Sequence, residues 1–157
     1  MVDPREFRDA MSRYPTGVTL VAARHEGAAL AMTVNSFASV SLEPPLILWS
    51  VGRDTERYAA FRAAEDFSIN ILRDTQMDLA PRYALDAALD PADWDLEGEG
   101  APVLKDALAR LHCRRYAVHP GGDHDIIVGE VMKVDCGADE GALTFFRSRY
   151  GRASVED

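Results

Sequence analysis

The chain opens with a helical pattern of apolar residues. Apolar side chains recur between Phe7 and Tyr14 at the interval of one helix face, which predicts a helix over residues 3–14. Asp3 is placed to cap this helix, with Pro4 at its first position. Pro15 lacks a backbone donor and ends the helix.

The pattern then changes to short apolar runs that are separated by turn residues, as in strands. The turn at residues 25–27 joins two of these runs into a hairpin, and the glycine-rich turn at residues 120–124 joins two others. The predicted strands are residues 18–23, 28–34, 46–51, 67–72, 108–118, 125–135 and 143–146. Six or seven strands without regular helical crossovers favour a mainly-β antiparallel barrel with short helices at its gaps and edges.

Two short helices interrupt the strands. Asp54 or Thr55 is placed to cap the first, and Asp74 or Thr75 the second. The acidic residues 86–100 have no periodicity and predict a surface loop. No stretch rich in Gly, Ser or Pro divides the chain, so we expect one domain over residues 1–157.

Composition narrows the classes of function. Apolar residues make up 47% and charged residues 27%, and the formal net charge is -9 with the basic residues scattered. This balance opposes binding to nucleic acid or to an anionic membrane. Two cysteines without a CxxC spacing, Cys113 and Cys136, and the lack of an apolar leader segment are typical of a cytoplasmic protein.

Common catalytic and nucleotide-binding motifs are missing from the sequence. No GxGxxG follows a predicted strand, and neither a P-loop, an HExxH motif nor a nucleophile elbow occurs. Chemistry that needs a protein nucleophile or a zinc ion therefore has no support here, and a nucleotide has to be held in another way.

The densest polar segment lies between two predicted strands. Hydroxyl and amide groups there could bond a heterocycle or a phosphate, or they could instead satisfy the backbone of their own turn. These residues are Thr33, Asn35, Ser36, Ser39 and Ser41.

Three other segments have two interpretations each. Residues 50–55 form either an anion site assisted by Arg53 and Arg57 or an ordinary capped helix start. His124, in the glycine-rich turn, either contacts a ligand or is a solvent-exposed turn residue. The aromatic and arginine residues of segment 145–150 either stack on a planar ligand or pack as a core strand.

Taken in order, these segments resemble the flavin reductase family with the FMN-binding split-barrel fold. The resemblance covers residues 7–150, nearly the whole chain. Its blocks are residues 7–18, the central Met32-Thr33-Val34-Asn35-Ser36-Phe37, residues 39–46, residues 67–72 with Gln76 and Leu79-Ala80, Gly121-Gly122-Asp123-His124, and Phe146-Arg147-Ser148-Arg149-Tyr150.

The resemblance implies a six- to seven-stranded antiparallel Greek-key split barrel that works as a homodimer. It implies an NAD(P)H:flavin oxidoreductase, with FMN or FAD as flavin and NADH or NADPH as hydride donor, that supplies reduced flavin to a separate monooxygenase. His124 is the implied catalytic-site residue facing the nicotinamide. The implied cofactor-binding residues are Pro15, Thr16, Gly17, Thr33, Val34, Asn35, Ser36, Ser50, Val51, Gly52, Thr55, Arg82, Arg149 and Tyr150.

Two alternatives stay open at this point. One is an FMN-dependent enzyme that acts directly on an organic or metal-chelate substrate. The other is a flavin-binding protein without turnover.

Overall fold

The computed structural model describes residues 1–156. Its helices are α1 (Pro4–Ser12), α2 (Tyr58–Ala63) and α3 (Leu79–Ala84), with a 3₁₀ turn at Asp74–Gln76. Its strands are β1 (Thr16–Gly17), β2 (Thr19–His25), β3 (Ala28–Val34), β4 (Ala38–Leu42), β5 (Pro45–Gly52), β6 (Asp66–Ile71), β7 (Trp94–Asp95), β8 (Val103–Leu104), β9 (Ala109–Gly121), β10 (His124–Cys136), β11 (Ala142–Phe146) and β12 (Arg149–Ala153).

Seven strands form the main antiparallel sheet in the order β3-β2-β6-β9-β10-β5-β4. A second sheet has the order β1-β11-β12, and β7 pairs with β8. The predicted mainly-β antiparallel architecture with short helices is therefore confirmed.

The two edges of the main sheet are connected by a very short segment. Strand β3 ends at Val34 and β4 begins at Ala38, so only residues 35–37 (the link) join the opposite edges. This stretch spans at most about 14 Å, whereas the edges of a flat seven-stranded sheet lie about 29 Å apart. The sheet therefore curls until its edges approach, which leaves a barrel that is split at the link.

Two apolar clusters fill the interior. One surrounds Tyr83 and Trp94, and the other surrounds Trp49. Trp49 is fully buried, with its ring 5.3 Å from that of Phe61 and 6.0 Å from that of Phe67. Helix α2, which carries Phe61, thereby closes one side of the barrel.

Helix α1 begins as the sequence predicts. The Asp3 carboxylate accepts hydrogen bonds from the amides of Arg5 and Glu6, at 2.7 and 3.3 Å. Its apolar face is nevertheless uncovered, because no residue of α1 is buried.

The predicted caps of the two short helices are wrong. Residues 52–57 form tight turns instead, with the amide of Thr55 bonded to the carbonyl of Gly52, so α2 starts only at Tyr58. The Asp74 carboxylate pairs with Arg152 at 2.7 Å and caps nothing. Helix α3 starts at Leu79, which places Pro81 in its first turn, where the missing amide costs least.

The acidic segment is also more ordered than the sequence predicts. Trp94 within it is almost completely buried, and its indole N–H donates to the hydroxyl of Tyr83 at 3.1 Å. One aromatic residue thus anchors a segment whose composition indicates a loop. The pattern also misses five strands. Strands β1, β7 and β8 have only two residues each, β4 lies in the polar segment, and β12 is rich in arginine and glycine.

Candidate functional site

A cavity of about 870 Å³ opens beside the link. Its walls include Pro15, Thr16 and Gly17, which follow α1, and Asn35 and Ser36 of the link. All five are predicted site residues, so the curl of the sheet brings together two sequence segments that lie 18 residues or more apart.

Several cavity residues were not predicted from the sequence. They include Met11 of α1, Tyr14 just after that helix, Phe145 of β11 and Ser148 of the turn between β11 and β12. Within segment 145–150 the resemblance implies only Arg149 and Tyr150 as binding residues, and the sequence places Tyr14 only on a helix face. The pairing of β1 with β11, which places Thr16 opposite Phe145, is the tertiary contact that joins them.

One polar atom in the cavity wall has no partner. The hydroxyl oxygen of Thr16 is buried and makes no hydrogen bond with any part of the chain that the structure describes. A buried hydroxyl without a partner is destabilising, so a polar ligand in the cavity would gain from binding there.

The other predicted residues of the polar segment make internal hydrogen bonds. The hydroxyl of Ser36 bonds to both the amide and the carbonyl of Ser50. The hydroxyl of Thr33 donates to the carbonyl of Ala80 at 2.5 Å. Val34 is buried, so only its backbone is available to a ligand.

His124 lies at the end of β10, directly opposite Gly52 of β5. Its Nδ1 is 2.7 Å from the Asp123 carboxylate, and this hydrogen bond holds the pKa of Asp123 below its usual value. Because a carboxylate accepts, Nδ1 carries the proton in the neutral ring, and Nε2 is left as an acceptor. A Cβ atom on Gly52 would lie 3.5 Å from this Nε2, so the glycine keeps the space beside it open.

Both arginines of the predicted anion site at residues 50–55 contact other groups of the chain. Arg57 is buried, and its guanidinium donates to the carbonyls of Ala31, Tyr83 and Ala84 at 2.6, 2.9 and 3.0 Å. Burial lowers the pKa of Arg57. Arg53 donates to Asp125 but remains partly exposed, so of the two side chains only that of Arg57 is withdrawn from an anion.

Asp125 is the centre of a charged cluster next to His124. Arg53 donates to it through Nη2 and Nε at 2.7 and 3.1 Å, the hydroxyl of Tyr58 donates to its other oxygen, and Arg62 lies 3.6 Å away. The hydrogen bond from Tyr58, followed by that from Arg53, lowers the pKa of Asp125. The cluster ties the ends of β5 and β10 to α2, and no sequence motif marks it.

Three further predicted site residues do not line the cavity. Val51 is buried with its side chain in the core, and Thr55 accepts a weak hydrogen bond from the amide of Arg57 at 3.5 Å. Arg82 pairs with Asp93 at 3.7 Å.

The last two predicted residues belong to β12. Tyr150 packs against the cavity residue Phe145, with ring centroids 5.3 Å apart, whereas Arg149 lines a separate depression of about 660 Å³. Among the described residues, neither Arg149 nor His124 lines the cavity beside the link.

Comparison with known sequences decides the family. The profile of the flavin reductase like domain matches residues 11–154 of this chain. The chain belongs to the flavin reductase like family. The resemblance and the split-barrel fold that the sequence predicts are thereby confirmed.

Several relatives of this flavin reductase like protein are named. It is 45% identical over 151 residues to FMN reductase (NADH) SmoA of Agrobacterium fabrum, a match that covers 96% of this chain and 86% of the relative. It is 36% identical over 146 residues to the reductase component of 4-hydroxyphenylacetate 3-monooxygenase from Thermus thermophilus, covering 93% and 94%.

A solved structure agrees with this assignment. The NADH:FAD oxidoreductase SgcE6 of Streptomyces globisporus, in complex with NAD and FAD fragments, superimposes with a TM-score of 0.89 at 34% identity. The match covers 98% of this chain and 96% of that one.

The cavity of this flavin reductase like protein fits a flavin by its chemistry. Apolar walls from Met11, Phe37 and Phe145 suit a flat aromatic ring, and the unpartnered hydroxyl of Thr16 beside Asn35 suits the ring's carbonyl and N–H groups.

Between Met1 and Glu156, no helix has both the length and the apolar character needed to cross a bilayer.

Proposed function

We propose that this flavin reductase transfers hydride from NADH to FMN held in the cavity beside the link, and that the reduced flavin passes to a separate oxygenase. The observation that carries the proposal is the buried, unpartnered hydroxyl of Thr16 in a cavity whose wall also carries the apolar side chains of Met11, Phe37 and Phe145. The names of the relatives support FMN and NADH first, and the relative described with FAD fragments keeps FAD as a second flavin.

Bound flavin and NADH supply the redox chemistry themselves, so the protein has to bind and orient them. Thr16 and Asn35 offer polar contacts, while Met11 and Phe145 exclude water from the ring. Arg8, also in the wall, supplies positive charge that favours the negative charge gained on reduction.

In this proposal, His124 orients the nicotinamide. Its Nε2 is an acceptor suited to the carboxamide N–H groups of a nicotinamide, and Gly52 leaves the space for that contact. No acid–base step is assigned to His124, because hydride transfer between the two cofactors needs no protein nucleophile or base.

The other predicted residues remain part of the proposal. Thr33, Val34, Ser50, Val51 and Gly52 are proposed to contribute mainly backbone groups to the ring and ribityl chain. Ser36 and Thr55 are proposed to lie near the phosphate. Arg82 is proposed to approach the phosphate, which requires it to leave Asp93. Arg149 and Tyr150 are proposed to lie on the nicotinamide side.

A homodimer is proposed from the uncovered face of α1. Phe7 and Met11 of α1 and Tyr14 just after it are 57%, 51% and 69% exposed, which is unusual for three neighbouring apolar side chains. Met11 and Tyr14 also line the cavity, so a second copy packed on α1 would complete its wall. Light scattering after gel filtration should give a dimer mass for the wild type and a monomer mass for Phe7→Glu.

We also propose that the protein works in the cytoplasm. Cys113 and Cys136 are both free thiols in the structure, as expected for a protein of a reducing compartment.

The central test mixes the purified protein with FMN and NADH and follows absorbance at 340 nm. Rapid loss of NADH absorbance is expected. A yellow protein that holds FMN tightly with a flat trace would overturn the reductase function and favour a flavin-binding protein.

A further inference from the structure

The turn between β11 and β12 has an unusual backbone. Arg147 and Ser148 form a two-residue hairpin loop, flanked by the paired residues Phe146 and Arg149, and both have positive φ, at 50° and 60°. Such loops normally carry Asn and Gly, because a Cβ atom clashes with the backbone in this conformation.

Other tight hairpins in the chain use glycine for the same purpose. The β2–β3 turn has Gly27 beside Glu26, and the β9–β10 turn has Gly122 at φ 68°. Of the two-residue hairpin loops in residues 1–156, only the one at Arg147 and Ser148 has side chains at two positive-φ positions. Strain that is retained in this way often marks a functional position.

The two residues of the turn differ in what they face. Ser148 lines the cavity at an exposed position. The guanidinium of Arg147 lies over the ring of Phe146 at 5.4 Å and lines the separate depression. The amide of Arg147 donates to the carbonyl of Ser12 at 2.8 Å, which holds the turn against the end of α1.

We propose that Ser148 is a flavin-contacting residue, whose hydroxyl hydrogen-bonds a polar group of the flavin and is aimed by the left-handed backbone of the turn. This inference rests on the proposed function of the cavity. The hydroxyl of Ser148 would be the second in the cavity to bind the flavin, after that of Thr16 near the other end of the chain.

Three variants separate the effect of the Ser148 hydroxyl on FMN binding from the effect of the strained backbone on stability. Ser148→Ala removes the hydroxyl and keeps the strain, whereas Ser148→Gly removes both. Arg147→Gly is the matched control, because it relieves strain in the same turn without changing a residue of the cavity wall. The readouts are the FMN dissociation constant, from quenching of flavin fluorescence, and the melting temperature of the flavin-free protein.

We expect the FMN dissociation constant to rise about five-fold for both Ser148 variants, which corresponds to one lost hydrogen bond. Ser148→Gly and Arg147→Gly should each raise the melting temperature by about 2 °C, and Arg147→Gly should leave FMN binding unchanged. Wild-type FMN affinity in both Ser148 variants would overturn the inference, and so would equal weakening in Arg147→Gly.

The experiment distinguishes failure of this inference from failure of the proposed function. If the wild-type protein neither binds FMN nor oxidises NADH, the function itself fails. If the wild type does both and the Ser148 variants bind FMN normally, only the role of Ser148 fails.

Discussion

Ser36 and Ser50 are joined by two hydrogen bonds through one hydroxyl. The oxygen of Ser36 accepts from the amide of Ser50 at 2.9 Å and donates to its carbonyl at 3.2 Å. A side chain thus fastens the link to β5. The single hydroxyl proton of Ser36 is already used, so this residue can offer a ligand only an acceptor.

Ser36→Ala should therefore lower the stability of the fold and weaken FMN binding in the cavity. Losing the two hydrogen bonds should lower the free energy of unfolding by about 1–2 kcal/mol, measured by urea denaturation, and should raise the FMN dissociation constant. The control is Ser39→Ala, at an exposed position of neighbouring β4. Equal effects of the two substitutions would contradict a specific role for Ser36.

His124→Ala should impair NADH binding more than the hydride step. Without the orienting acceptor, we expect the KM for NADH to rise about ten-fold, the cost of about one hydrogen bond, with most of kcat retained at saturating NADH. His119→Ala, an exposed histidine near the end of β9, is the control. Loss of kcat with an unchanged affinity for NADH would show that orientation is not the role of His124.

Arg57→Ala should strongly destabilise the protein. The carbonyls of Ala31, Tyr83 and Ala84 would lose their donor, and the free energy of unfolding should fall by about 3 kcal/mol. Urea denaturation measures this fall. Arg13→Ala removes an exposed ion pair with Asp9 and should cost less than about 0.5 kcal/mol. Similar losses for both variants would show that Arg57 is not an anchor.

Stability should depend on the ionised form of Asp125. Because its folded pKa is below the unfolded value of about 3.9, its contribution is present above that pH and is lost as the pH falls through the folded pKa. Asp125→Asn should lower the free energy of unfolding at pH 7 and flatten its fall below pH ~4. Urea denaturation over a pH series tests this.

Tyr58→Phe provides the companion variant for Asp125. Removing the hydroxyl that most lowers the pKa of Asp125 should raise that pKa and move the acid-induced loss of stability to higher pH. A wild-type acid profile in both variants would exclude Asp125 as a source of the pH dependence.

Patterns that act over short distances in sequence predicted much of the fold. The Asp3 cap and the seven apolar runs depend on neighbouring residues, and the structure has them nearly where the sequence places them. Five residues that the family blocks imply, including Thr16 and Asn35, also meet in one cavity.

The features that the sequence patterns did not predict depend on contacts between residues far apart in the chain. The sequence suggests Arg57 as part of an anion site, because its three carbonyl partners lie 26 or 27 positions away. Asp125 meets Tyr58 across 67 positions, and no local pattern records that contact. Trp94 is surrounded by acidic residues, so composition concealed its place in the core.

The short link between the sheet edges has a consequence for dynamics. Strands β3 and β4 share no backbone pairing, yet residues 35–37 both join them and line the cavity. A ligand that holds the link therefore restrains both edges at once. Amide hydrogen exchange should slow in β3 and β4 together when FMN is added, because opening of either edge would displace the bound molecule.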